Sequence, residues 1–406
     1  MVLALVFIGF YLLSQTILQP IADSLRIAGL LTAAILIIHV ANRYFVPEAD
    51  PVLLPLAAFL SGLGLIVIWR LKPDLAVAQS VWIIAGTVAI LLSFVLLRRY
   101  QSIKDYKYSL AVLGIILLFA PIFIGVERGG ARLWLNIGGI SFQPAEMAKI
   151  LFVFFLAAYL EEKRELLAIS TKRIYGIWLP ELKHLGPLVV MWLISLLILV
   201  LERDLGTSLL FFGLFLAMLY VATGRPVYVT LGTFLFIASA AACYFLFSHV
   251  QTRVDIWLDP WIDPSGKGYQ IVQSLFAIAS GGLTGVGLGL GYPTLIPAVQ
   301  TDFIFSSIAE ELGLLGGFAV ILAFLLFILR GLKTALLAKD DFGRLAAVGL
   351  SSVFALQSFS IIGGTTKLIP LTGVTLPYMS YGGSSILMNF ILLALLLIIS
   401  AKGADR

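Results

Sequence analysis

One cysteine, three histidines and few charged side chains set limits before any motif is read. Of the 406 residues, 12% are charged and 60% hydrophobic, whereas a soluble domain carries about 25% charged residues. The single cysteine, Cys243, excludes an intrachain disulfide, and its place in an apolar run fits a small packing residue better than a reactive thiol. His39, His184 and His249 show no ligand spacing, so no metal motif is written in histidine. No fixed-period repeat and no low-complexity segment interrupts the chain. The N-terminal run MVLALVFIGFYLLSQTIL lacks a basic leader segment and a small-residue cleavage site, which predicts a first membrane span rather than a removed signal.

What is abundant is apolar sequence in long blocks. A bilayer core takes roughly 20 apolar residues per helix, and blocks of that length recur from end to end. Continuous blocks predict helices, because a membrane barrel would alternate polar and apolar residues over short segments. Twelve spans are expected, near residues 2–18, 25–41, 52–69, 79–97, 108–126, 144–160, 186–201, 206–223, 227–247, 303–329, 344–363 and 384–400. The net charge of +5 then reads as a topology signal rather than a nucleic-acid partner. Alternating the connections gathers most basic residues on one side, among them Arg98, Arg99, Lys104, Lys107, Lys163, Arg164, Lys172, Arg173, Lys183, Arg330, Lys333 and Arg344. The positive-inside rule places that side, both termini and Arg406 in the cytoplasm, and the long 248–302 loop outside.

That loop holds most of the chemistry. In WLDPWIDPSGKGYQ two Asp-Pro steps disfavour a helix through Asp255, Asp259 and Asp263. Ser265-Gly266-Lys267-Gly268 is a turn able to bring backbone amides close to a bound group. The apolar, glycine-rich run that follows is built to dip into the membrane interface rather than to be solvated. In TDFIFSSIAEELG, Thr301 is expected to cap the tenth span and Asp302 to sit at the positive end of its dipole. Glu310 and Glu311 lie on the order of 12 Å deeper, where at least one must meet a polar cavity or a buried cation.

Other charged residues fall inside or beside spans. In SFQPAEMAKI, Pro144 suits a first helical turn, and Glu146 and Lys149 pair at i, i+3 facing the bundle, either as a structural ion pair or as a substrate site. Arg128 and Arg132 near Trp134 are either interfacial anchors or phosphate ligands. In ERDLGTS, Asp204 is expected to cap the eighth span while Arg203 pairs with Glu202. PLTGVTLPYMSYGGSS, before the last span, is irregular backbone that membrane depth tolerates only against protein or a watery cavity.

In this chain order, SFQPAEMAKI, DLGTS, DPSGKGYQIVQS, TDFIFSSIAEELG and LPYMSYGGSS closely resemble the motifs of the SEDS family of bacterial cell-wall proteins, the RodA and FtsW type. The resemblance covers about residues 50–400. It implies an all-α polytopic membrane fold with a ten-helix core at 46–406, so residues 1–45 form a two-helix addition. It also implies a peptidoglycan glycosyltransferase that polymerises lipid II, partnered by a class B penicillin-binding protein and other elongation or division proteins. Asp263 matches the family's catalytic carboxylate, Glu146 and Lys149 its cavity pair, and Arg253 a basic position in the loop. Lys267, Asp302 and Glu310 complete the candidate substrate contacts. The chain departs from the family pattern at Leu133, Ala298 and Gln300, where arginine, glutamate and histidine are usual.

Inversion of an α-linked diphosphate into a β-glycosidic bond needs a base opposite the leaving group, a role open to Asp263. Asp263 is alternatively a ligand for a divalent cation, Mg²⁺ or Mn²⁺, which would neutralise the diphosphate in place of Arg253 or Lys149. Two other readings stand beside the enzyme: a flippase or other transporter, and a scaffold for a cell-wall complex.

Overall fold

The computed structural model describes the chain apart from residues 17–20, 129–130, 169–171, 175–176, 180–185, 203 and 405–406. Lys183, His184, Arg203 and Arg406 therefore lie outside the described residues, as do the side chains of Arg128, Lys172 and Arg173. Each expected span contains helix, but those at Val2–Thr16, Pro144–Ala168 and Gly186–Leu197 are not among the helices long and apolar enough to cross a membrane. Nine helices among the described residues are long and apolar enough to cross a membrane.

The chain divides into two compact units. The first comprises Met1–Arg98, Arg253–Gly331 and Gln357–Arg406. Its helices are α1 (Val2–Thr16), α2 (Ile21–Phe45), α3 (Leu53–Leu71) and α4 (Pro73–Leu96), with Pro73 at the first turn of α4, where its missing N–H costs nothing. The second unit comprises Arg99–Thr252 and Leu332–Leu356. It holds α5 (Lys107–Ile124), α6 (Pro144–Ala168), α7 (Gly186–Leu197), α8 (Leu205–Thr223) and α9 (Pro226–Leu246).

The helices α10 (Ser248–Leu258), which passes from the second unit into the first at Arg253, and α11 (Tyr269–Gly281) form most of the long loop. The helices α12 (Ile304–Leu337) and α13 (Asp341–Thr365) run from one unit into the other, and α14 (Gly383–Ala404) closes the chain. Most of α14 is buried, against α4 and α3. Lateral polar ties reinforce that packing: buried Gln79 on α4 donates to Ser380 O at 3.2 Å and accepts from Gly382 N at 3.3 Å.

The irregular 366–382 stretch is paid for by such bonds, as backbone at membrane depth requires. Gln357 donates to Thr375 O at 2.9 Å, Ser380 Oγ accepts from Leu376 N at 3.0 Å, and Tyr381 N reaches Gln300 O at 2.8 Å. It lies against protein, one of the two options left open by sequence.

Two small sheets were not expected. The strands β1 (Val126–Arg128), β2 (Ala131–Ile137) and β3 (Ile140–Phe142) form an antiparallel three-stranded sheet in chain order, and β2 turns into β3 at Gly138-Gly139 with both φ values positive, at 59° and 83°. Gly-Gly at that position is the signature of a two-residue hairpin turn. The pair β4 (Lys172–Ile174) and β5 (Ile177–Leu179) is the other.

Candidate functional site

Asp263 sits at the end of a single 3-10 turn, Pro260–Ile262, between α10 and α11. The two Asp-Pro steps end α10 before Asp259, whose carboxylate accepts from Trp261 N at 3.0 Å. The expectation that the following turn offers its amides to a ligand needs correcting. Those amides close on Asp263 itself: Lys267 N donates to Oδ2 at 2.9 Å, and Gly268 N and Gly266 N donate to the main-chain oxygen at 3.0 and 3.3 Å. A Cβ at residue 266 would lie 2.4 Å from Oδ2, so glycine is what lets the carboxylate fold onto its own turn. The side chain is exposed, and Oδ1 takes no hydrogen bond from any described residue. Lys267 is exposed beside it.

Arg253, on α10, spends Nη1 on Leu371 O and Thr372 O, at 3.0 and 3.3 Å. Trp257, one turn on, donates to Lys367 O at 3.2 Å. Together they pin α10 to the 366–382 stretch, and the interactions of Arg253 and Asp263 are with different segments.

Thr301 does not cap α12. Its hydroxyl donates to Ala298 O at 3.0 Å within a turn where Ala298 has φ 55°, and the helix begins at Ile304. Asp302 stands in that turn, its N–H on Ala298 O at 3.1 Å.

Glu310 and Glu311 are both buried and are used differently. Glu311 Oε1 meets Arg70 Nε of α3 at 3.0 Å, and Oε2 accepts from Gly289 N at 3.0 Å. Arg70 Nη2 donates to Gly291 O at 2.8 Å. Glu310 Oε1 accepts from Tyr292 N at 2.8 Å, and its Oε2 is buried with no partner among the described residues. For Glu311 the structural alternative holds: a buried cation balances it. Sequence reading missed Arg70, because a basic residue in the last turn of a span reads as an interfacial anchor.

Two residues beyond Glu311 the helix breaks at Gly313, with φ 67° and ψ −169°. An intact helix would bond Leu314 N to Glu310 O and Leu315 N to Glu311 O. The glycine-rich loop takes all four groups instead. Val286 N and Gly287 N donate to Glu310 O and Glu311 O at 3.0 and 3.1 Å, while Leu314 N and Leu315 N donate to Gly282 O and Leu283 O at 2.9 and 3.1 Å. Two lost helix bonds become four loop bonds.

In the second unit, Glu146 and Lys149 form a buried ion pair at 2.7 Å on α6. Neighbouring Ala145, Ala148 and Phe152 pack with Leu118, Ile198 and Phe211, and the two charges pair on one helix face, as their i, i+3 spacing predicted. Asp204 caps α8 as expected, accepting from Thr207 N and Oγ1 at 2.9 and 2.6 Å. Arg132 lies 3.6 Å from Glu127, both well exposed on the hairpin. Among the described residues no three His, Cys, Asp or Glu side chains converge as a metal site.

The chain belongs to the FtsW, RodA and SpoVE family, described as cell cycle proteins, matching its sequence model over residues 52–404. It is 45% identical over 381 residues to the peptidoglycan glycosyltransferase RodA of Mycobacterium tuberculosis, covering 91% of this chain and 81% of that one. It is 34% identical over 327 residues to the stage V sporulation protein E of Bacillus subtilis, covering 80% and 86%. Among solved structures, a chain from a peptidoglycan synthase complex that coordinates polymerization and crosslinking aligns with TM-score 0.70 and 27% identity over 88% of this chain and 99% of that one. The rod shape determining protein RodA of Thermus thermophilus aligns at TM-score 0.62 and 26% identity, over 87% and 96%. The protein is a multi-pass membrane protein.

Proposed function

We propose that this protein is a peptidoglycan glycosyltransferase that polymerises lipid II at the outer face of the bacterial cytoplasmic membrane. Family membership and the similarity to RodA over nearly the whole chain support the activity. One observation supports the site: Asp263 is an exposed carboxylate whose Oδ2 is held by the Lys267 amide while Oδ1 stays open. A base must be fixed in direction yet accessible to the hydroxyl it deprotonates. In this mechanism Oδ1 takes the proton of the acceptor sugar hydroxyl as that oxygen attacks the anomeric carbon, and the diphosphate departs from the opposite face with its electron pair. A single displacement of this kind inverts the α-linkage to β. The Lys267 ammonium and the remaining guanidinium nitrogens of Arg253 are the nearest cations in sequence to offset the leaving charge, with Asp302 and Glu310 as further substrate contacts. Should a Mg²⁺ or Mn²⁺ ion take part, Asp263 would be its protein ligand, and the ion would supply the diphosphate neutralisation.

The finer architecture belongs to the same reading. Ten helices from residue 46 onward form the core, α1 and α2 are an N-terminal addition, and both termini lie in the cytoplasm with the 248–302 loop outside. The complex of polymerization and crosslinking in the similar structure favours a crosslinking partner here, of the class B penicillin-binding type.

The test is lipid II polymerisation by purified protein in detergent, where transport has no meaning. Asp263→Asn should lower the rate about 10²–10⁴-fold with an unchanged melting temperature. Long glycan strands made by Asp263→Ala at the wild-type rate would remove Asp263 from the mechanism. A wild-type protein that moves lipid II across vesicles yet makes no strands would favour the transporter.

A further inference from the structure

We infer that Arg70 is a positioning residue for the Asp263 loop, acting by locking the glycine-rich loop into the break of α12. This rests on the polymerase reading, since it is Asp263 that is positioned. α11 carries the Asp263 turn at its N-terminal end and the glycine-rich loop at its C-terminal end. Its middle is tied by Ser274, fully buried, whose hydroxyl lies 2.8 Å from Thr365 O and 2.7 Å from Ser306 Oγ. Near the Asp263 turn the further tie is a long hydrogen bond, Gln270 Nε2 to Pro297 O at 3.5 Å, too weak to stop a rod held at its middle from tilting. A second tie at one end removes the tilt and so fixes the other end, about 20 Å away along α11.

That second tie is the ring of bonds from Arg70 to Glu311, from Glu311 to Gly289 N, and from Gly291 O back to Arg70. It closes over the four backbone bonds that seat residues 282–287 in the helix break. Glycine is required at both faces of the seat: a Cβ on Gly285 would meet Glu311 O at 2.2 Å, and one on Gly313 would meet Gly285 N at 2.2 Å. At these two glycines loop and helix approach as bare backbone. Directional polar bonds must then hold the register, and Arg70 supplies two of them. Its partners lie 241 and 221 residues away in sequence, so it adds the long α3 as an anchor to the local bond of Tyr292 N on Glu310. Lysine offers a point charge in place of the planar fork and cannot reach both acceptors with the same geometry.

The experiment compares Arg70→Met, Arg70→Lys and the double variant Arg70→Met/Glu311→Met with wild type. Three readings are taken: melting temperature, steady-state polymerisation of lipid II, and amide hydrogen exchange over residues 282–292. Removing one partner of a buried pair destabilises, whereas replacing both with apolar side chains commonly restores stability. The double variant therefore separates stability from positioning. Arg70→Met should lower kcat at least tenfold with little change in KM, and should speed exchange in 282–292 more than elsewhere. Arg70→Lys should recover part of both. The double variant should melt near wild type yet polymerise as slowly as Arg70→Met. Recovery of polymerisation together with melting temperature in the double variant would overturn the inference, as would Arg70→Met that keeps wild-type kcat. Asp263→Ala is the control that keeps the two proposals apart: it should abolish polymerisation while leaving exchange in 282–292 unchanged.

Discussion

At the scale of single residues, burial decides which charges are structural. The Glu146–Lys149 pair is almost fully withdrawn from solvent, and each charge is tolerable there because of the other. Lys149→Met alone leaves a buried carboxylate uncompensated and should cost about 3–5 kcal/mol, read as a lower melting temperature in detergent. Joining it to Glu146→Gln removes both charges and should restore most of that loss. Polymerisation in the double variant tests whether the pair also serves substrate: full activity would confine it to structure. Glu310 differs from Glu311 in kind, with one oxygen on the Tyr292 amide, the other without a partner among the described residues and no ion pair to Arg70. Asp263 differs from both in being exposed, held by its own turn rather than by another helix.

At the scale of elements, the break in α12 and the loop seated in it form one unit. Two glycines of that loop have positive φ for different reasons. Gly282 has φ 52°, ψ −140° and open space around it, so Gly282→Ala meets only the backbone penalty of about 1–3 kcal/mol. Gly285 has φ 85° and faces Glu311 O at 2.2 Å, so Gly285→Ala meets the same penalty and a clash with main chain besides. Gly285→Ala should therefore melt lower than Gly282→Ala and expose residues 282–292 to exchange. Equal effects from the two variants would mean that the seat is softer than its hydrogen bonds indicate. The small sheet at 126–142 is an element of a simpler sort, its β2–β3 hairpin fixed by the Gly138-Gly139 turn. That dipeptide was the available signal for it, within a segment too short and too close to two spans for alternation to stand out.

At the scale of the whole molecule, the family match begins at residue 52, beyond α1 and α2. Those two helices nevertheless pack on one another and on α3 and α4, and Ser24 accepts from Trp69 Nε1 at 3.1 Å. Deleting residues 1–45 should leave lipid II polymerisation in place while lowering the melting temperature, because the covered face of α3 loses its apolar partners. A folded deletion variant without polymerisation would make the pair part of the working core.

Much was legible without coordinates. Low charge and long apolar blocks define a helical membrane protein, since only internally bonded backbone survives in lipid. The expected span positions follow from block length, and the Asp263 turn follows from Asp-Pro and glycine spacing, because each of these is a local property of consecutive residues. The pairing of Glu146 with Lys149 and the Asp204 cap are local in the same sense, one helical turn apart. Tertiary structure decided the rest. It chose Arg70 as the partner of Glu311 across 241 residues, turned the amides of the Asp263 turn inward, and filled the break of α12 with a loop. Periodicity carries no record of those choices, since backbone bonds between distant segments depend on which surfaces meet when the helices pack.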